Sequence, residues 1–165
     1  MRLVERVRMN RIKQLREHID EMLLHKKDTF DRRCAYVHLY GVSLFCGMLA
    51  KQRNANVELA VMTAMLHDLY SYMTEGEPLI ENKAVKSQKD AEVAREILNK
   101  LNITTTEESE VICKAVCYRG TGEYSELGEI LLDANLLQHA YYNPTLPVKY
   151  GEEKLALLLA DFGIK

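Results

Sequence analysis

No stretch of this sequence alternates apolar and polar residues with period two between turn signals, so a sheet-based architecture has no sequence support. Proline is scarce, with 3 residues in 165, and no low-complexity segment, internal repeat or linker divides the chain. That length suits one domain with a real core and is too short for two ordinary ones. The start of the sequence is charged from Arg2 onward and lacks the apolar h-region of a signal peptide. No apolar run approaches the ~20 residues of a membrane span. A cytoplasmic location and no membrane partner are expected. A net charge of -2 provides no basic field for polymeric nucleic acid. Cysteine is limited to Cys34, Cys46, Cys113 and Cys117, all within apolar helical patterns. Cys113 and Cys117 are one turn apart and could share a metal, but no second Cys or His pair follows at zinc-finger spacing, and the four are expected to be reduced core thiols. Ser43 in GVSLF lacks the strand-to-helix elbow of a nucleophilic serine.

What the sequence does contain is helical periodicity. Residues 2–27 carry a stripe of Leu3, Val7, Ile12, Leu15, Ile19, Met22 and Leu23. Asp28-Thr29 offers an N-cap for a second helix over 30–52, and 53–56 form a short turn. A central helix over 57–70 follows, then a loop from Ser71 to Pro78 and further helices over 81–101, from Thr105 to about Arg119, over 124–142 and over 152–161. Thr105 and Glu108 have the spacing of a capping box. The expected fold class is all-α, a compact arrangement of about seven helices spanning 1–165: an N-terminal helix over 1–27, a core over 30–145 and a closing segment over 146–165.

The central stretch, LAVMTAMLHDLYSY at 59–72, is apolar nearly all round and belongs in the middle of the domain. His67-Asp68 at its end places a carboxylate where little water is expected, and an unpaired buried carboxylate costs several kcal/mol. A metal ion bound by both residues would meet that cost; a capping Asp beside a core His would also fit. His38 lies 15 residues before Arg53, and His67 lies 13 residues after Asn54. If the short turn makes the two helices antiparallel, a rise of ~1.5 Å per residue sets both histidines at nearly the same level. Two imidazoles and a carboxylate can then meet. Asp133 sits within another apolar run, a second carboxylate with no obvious solvent face. His18 and His25 are expected to be surface or packing residues, and His139, off the face of Asp133, to lie in the core or at its rim.

Taken in order, His38, His67-Asp68 and Asp133 resemble the ligand pattern of the HD superfamily of metal-dependent phosphohydrolases. HLYGVSLFCGMLA at 38–50, ELAVMTAMLHDLYSY at 58–72, AEVAREIL at 91–98 and LLDANLLQHAYYNPT at 131–145 are similar to segments of small bacterial members. The resemblance implies a divalent metal (Mn, Fe, Ni, Zn or Mg), one ion per chain, held by His38, His67, Asp68 and Asp133, with Asp68 in the catalytic role. It further implies hydrolysis of a phosphoester of a small molecule, a nucleotide above all, with Arg33, Lys83 and Arg119 as cations for the phosphate. Arg32, Tyr70 and Tyr72 are additional candidates near the mouth.

The resemblance is incomplete at three places. Relatives carry a histidine where this chain has Lys83, and one or two histidines where it has Tyr118-Arg119. A late Asp-Ala-Asp motif here reads Asp133-Ala134-Asn135, so the fourth ligand is either Asp133 or the neutral Asn135. These changes also fit a catalytically inactive module that binds a nucleotide or other phosphorylated ligand.

Overall fold

A computed structural model describes residues 2–74, 82–117, 124–142 and 151–163, with side chains in the first helix described from Arg11 onward. The described residues are all-α and contain no strand, as expected. The helices are α1 (Arg2–Leu24), α2 (Thr29–Gln52), α3 (Val57–Leu66), α4 (Leu69–Met73), α5 (Lys83–Leu101), α6 (Thr106–Val116), α7 (Glu126–Tyr142) and α8 (Glu152–Asp161). Among the described residues eight helical segments replace the expected seven because the central helix breaks at His67-Asp68. The loop expected from Ser71 to Pro78 starts later, because α4 continues to Met73; its residues 75–78, the loop over 143–147 and Tyr118-Arg119 lie outside the described residues.

Local chemistry fixes most of the boundaries. The Asp28 carboxylate accepts from the backbone N–H groups of Phe30 at 2.8 Å and Asp31 at 2.9 Å, so α2 begins at Thr29. Asn56 caps α3 and Asn82 caps α5 in the same way. Thr105 and Glu108 form the reciprocal bonds of a capping box at the start of α6. Asn102 ends α5 in the left-handed region that Asn tolerates.

The core is built around α3. Leu59, Ala60, Met62, Ala64, Met65 and Leu66 are buried, and α2, α7, α6 and α1 pack around them. Helix α2 lies against both α3 and α7. It is long and apolar enough by length and composition to cross a membrane, contrary to the expectation that no run approaches that limit. Its Leu39, Val42, Cys46 and Leu49 are instead spent on the core. Among the cysteines, Cys46 and Cys113 are core thiols, whereas Cys34 is exposed and Cys117 half-buried. Arg11 ties α1 to the rest, bonding Glu58 of α3, Glu108 of α6 and the Ile103 carbonyl. Close approach of α7 to α2 needs Gly41: a Cβ there would stand 3.0 Å from Gln138 Cγ.

Truncating Met62, which is fully buried, to Ala should cost about 2–5 kcal/mol. Truncating the exposed Leu44 should change stability by no more than about 0.5 kcal/mol. Denaturant unfolding of the two variants measures the contrast, and equal losses would place the core elsewhere.

Candidate metal centre

His38 comes from the middle of α2, while His67 and Asp68 occupy the break between α3 and α4. The His67 N–H makes the last bond of α3, to the Thr63 carbonyl at 3.1 Å. The chain then turns extended at His67 (φ -70°, ψ 153°) and left-handed at Asp68 (φ 58°). Asp is among the few residues that tolerate the left-handed region, so the break is compatible with its sequence. Asp68 makes no side-chain capping bond to α4, so the reading of it as a helix cap is not met. Its carboxylate turns to the histidines instead.

The three side chains meet. His38 Nε2 lies 3.1 Å from His67 Nε2 and 3.3 Å from Asp68 Oδ2, and His67 Nε2 lies 3.7 Å from the same oxygen. The antiparallel-helix argument therefore gives the right level for both histidines. The partners of the other ring nitrogens fix the tautomers. His67 Nδ1–H donates to the Ala64 carbonyl at 2.5 Å, and His38 Nδ1–H donates to Gln138 Oε1 at 3.0 Å. In those tautomers both Nε2 atoms present lone pairs, and with Asp68 Oδ2 they form a cluster of three acceptors, the form in which all three can ligate a cation. A proton could relieve one edge of that triangle; a divalent ion relieves all three. A triangle with these edges contains a point about 2 Å from every corner, matching the ~2.0–2.2 Å of Zn–N and Zn–O bonds. His38, His67 and Asp68 could thus hold a metal ion.

Electrostatics favour the ligand forms. Burial is the largest influence on His67 and pushes it down to about 4, so the imidazole is neutral near pH 7. For Asp68, burial acts to raise the carboxyl, but His67, His38 and Lys86 outweigh it and hold the group well below its usual range. Lys86 Nζ contacts Asp68 Oδ1 and lies 3.1 Å from Asp90 Oδ2. Asp90, buried on α5, also accepts the Tyr70 N–H at 3.0 Å.

Asp133, expected as a fourth ligand, is not brought to this cluster. Its carboxylate is buried and pairs with Arg53 Nη2 at 2.7 Å and Lys154 Nζ at 2.5 Å, linking α7 to the end of α2 and to α8. Helical geometry gives the reason. Gln138 bonds His38, and the His139 ring lies 5.4 Å from the His38 ring, so these two mark the site-facing side of α7. Asn135 is three and four residues before them and shares that side, whereas Asp133 is turned about 200° from Asn135. Asn135 is buried, and its Oδ1 has no hydrogen-bond partner among the described residues. Of the two positions, Asn135 is the one on the side of α7 that bears Gln138 and His139.

A cavity of about 550 Å³ opens at the cluster, lined among others by Phe30, Arg33, His38, Asp68, Tyr72 and Lys86. Arg33 is therefore near the site, at its exposed rim. Lys83 is exposed and does not line the cavity, and Arg119 lies outside the described residues. His139, expected in the core or at its rim, lines the cavity, and so does Cys34, in place of the core position expected for it. Lys86, Asp90 and Gln138 were missed because none belongs to a ligand motif; the i,i+4 spacing of Lys86 and Asp90 was the available signal.

Two measurements check this arrangement. Asp133→Asn should lower stability by about 1–3 kcal/mol while leaving metal uptake unchanged, because Arg53 and Lys154 lose their shared charge away from the cluster. Loss of metal in that variant would return Asp133 to the ligand set. The second concerns pH. The folded-state pKa of His67 lies below its ordinary value of 6.5, so the unfolded chain binds more protons between those values. Stability of the metal-free protein should be complete above pH 6.5 and fall by up to about 3 kcal/mol toward pH 4. His67→Asn should flatten that slope in thermal unfolding across pH 4–7, and an unchanged slope would contradict the assignment.

Comparison with curated proteins and with solved structures gave no match. The family model for the HD domain matches residues 35–149, which include α2 through α7 almost entirely and all three clustered residues. The chain thus belongs to the HD-domain family, a family of metal-dependent phosphohydrolases.

Proposed function

We propose that this chain hydrolyses a phosphoester of a small molecule, a nucleotide, at a mononuclear centre held by His38, His67 and Asp68. The observation that carries this reading is the meeting of two imidazole Nε2 atoms and a carboxylate oxygen within 3.7 Å of one another. A mixed nitrogen and oxygen set suits borderline first-row ions such as Mn, Fe, Ni or Zn, with Mg the hardest candidate. A bound divalent ion supplies a water of lowered pKa and polarises a phosphoryl oxygen.

The residues of the chain do the remaining work. Asp68, held below the usual carboxylate range, stays ionised and acts through Oδ2 as a ligand rather than as a proton acceptor. Gln138 and the Ala64 carbonyl fix the two rings so that each Nε2 points to the same place. Arg33 at the rim is suited to the outward charge of a phosphate. Phe30, Tyr72 and Tyr142 add aromatic walls to a cavity of about 550 Å³, within the size range of small-molecule sites, which supports a substrate with a flat ring such as a nucleobase.

Asn135 supports a second reading, a binding module without turnover. Its neutral oxygen stands on the site-facing side of α7, where a carboxylate would bind a cation more firmly.

The deciding experiment is elemental analysis of protein purified without added metal or chelator, followed by phosphate release from nucleotides and a generic phosphomonoester after loading with Mn. The expected result is about one ion per chain and turnover, both lost in His67→Ala and Asp68→Ala. Ligand-induced stabilisation without product would select the binding module, and absence of metal even in excess Mn would refute the hydrolase. Asn135→Asp should tighten Mn binding by about tenfold or more, since it adds a charge to the donor set.

A further inference from the structure

The two oxygens of Asp68 face different cations. Oδ2 belongs to the triangle with His38 and His67, whereas Oδ1 is taken by the ammonium of Lys86. In two-metal phosphohydrolase sites a second ion clamps the reacting group from the other side. We propose that Lys86 fills that second cationic position, holding Asp68 to one-oxygen ligation and donating its third N–H to a phosphoryl oxygen of the substrate. This rests on the metal centre proposed above.

Three features support the assignment. Lys86 lines the same cavity as His38 and Asp68, so its head is reachable by a molecule bound there. It is only 20% exposed and is anchored from behind by Asp90, itself fixed by the Tyr70 N–H, so its charge is held rather than swinging in solvent. A lysine ammonium has three donors, and Asp68 and Asp90 account for two. Asp68, Asp90 and Lys86 together carry a net -1 alone and +1 with a divalent ion beside them. A bound divalent ion thus strengthens the attraction of the site for an anion that Lys86 already contacts. Lys83, the lysine singled out by sequence comparison, is exposed and outside the cavity; Lys86, one turn later on α5, is the one presented to it.

Inorganic phosphate is the probe. Its affinity for the Mn-loaded chain is measured by calorimetry beside Mn content for the wild type, Lys86→Met, Lys86→Gln and Lys86→Arg, with the exposed Lys89→Met as control. Folding of each variant is checked by its helical circular dichroism. Lys86→Met and Lys86→Gln should keep about one Mn per chain and lose tenfold or more in phosphate affinity. Lys86→Arg should recover part of the loss, and Lys89→Met should match the wild type. Phosphate affinity within twofold of wild type in Lys86→Met or Lys86→Gln overturns the proposal, as does a wild type that binds no phosphate. A folded Lys86→Gln that no longer holds Mn also overturns it, because Lys86 would then serve only to support Asp68. If the wild type itself takes up no Mn, the metal reading fails separately. The same comparison on the metal-free chain then decides whether Lys86 binds the anion.

Discussion

Two imidazole nitrogens and a carboxylate oxygen crowded within 3.7 Å of one another, each in the form that ligates a metal, are the constraint to which the rest of this fold answers. Left alone, such a cluster is repulsive, and each member sits too deep for water to screen it fully. The helices hold it together regardless. Helix α3 is anchored by apolar contact on nearly every side, α2 packs along both α3 and α7, and Gly41 lets Gln138 lie directly against α2. Rigidity is obtained from the core, and the core is what makes the unfavourable arrangement persist until a cation relieves it. Predicted acid sensitivity follows from the same source, since protons compete for the sites that the buried rings keep open.

Much of this was legible in the sequence because it depends on helical rise and apolar periodicity, both of which survive tertiary packing. The level of His38 against His67 followed from a four-residue turn and a constant rise. The all-α class followed from the absence of period two. The break at His67-Asp68 did not, because the apolar pattern continues from Leu66 into Leu69 and carries no sign of a left-handed residue between them. Lys86, Asp90 and Gln138 were equally hidden. Their positions depend on which face each helix turns to the cluster, and a polar residue on an amphipathic helix reads as solvent-facing until its neighbour is known.

Asp133 and Asn135 show how little separates two different uses of a polar residue in an apolar run. Two positions along a helix amount to opposite sides of it. One side of α7 meets the histidines through Gln138 and His139; the other meets Arg53 and Lys154. The buried Asp133 therefore serves as a tie between α7, the end of α2 and α8, its charge balanced by two cations. Asn135 carries no charge to balance and leaves an oxygen free on the side of the site.

The consequence for chemistry lies in how charge is distributed around Asp68. A site with two carboxylate ligands neutralises a divalent ion; with one carboxylate shared between the ion and Lys86, positive charge is left over at the cavity wall. That excess is smallest when the cavity contains an anion bearing two or more oxygens, one for each cationic neighbour. Tetrahedral phosphoryl groups meet this requirement, and neutral esters do not. A neutral side chain at Asn135 and a fixed ammonium at Lys86 therefore act in the same direction. Together they make the anion part of what holds the centre in balance, so discrimination for phosphorylated molecules arises from the charge of the site as well as from the shape of its aromatic walls.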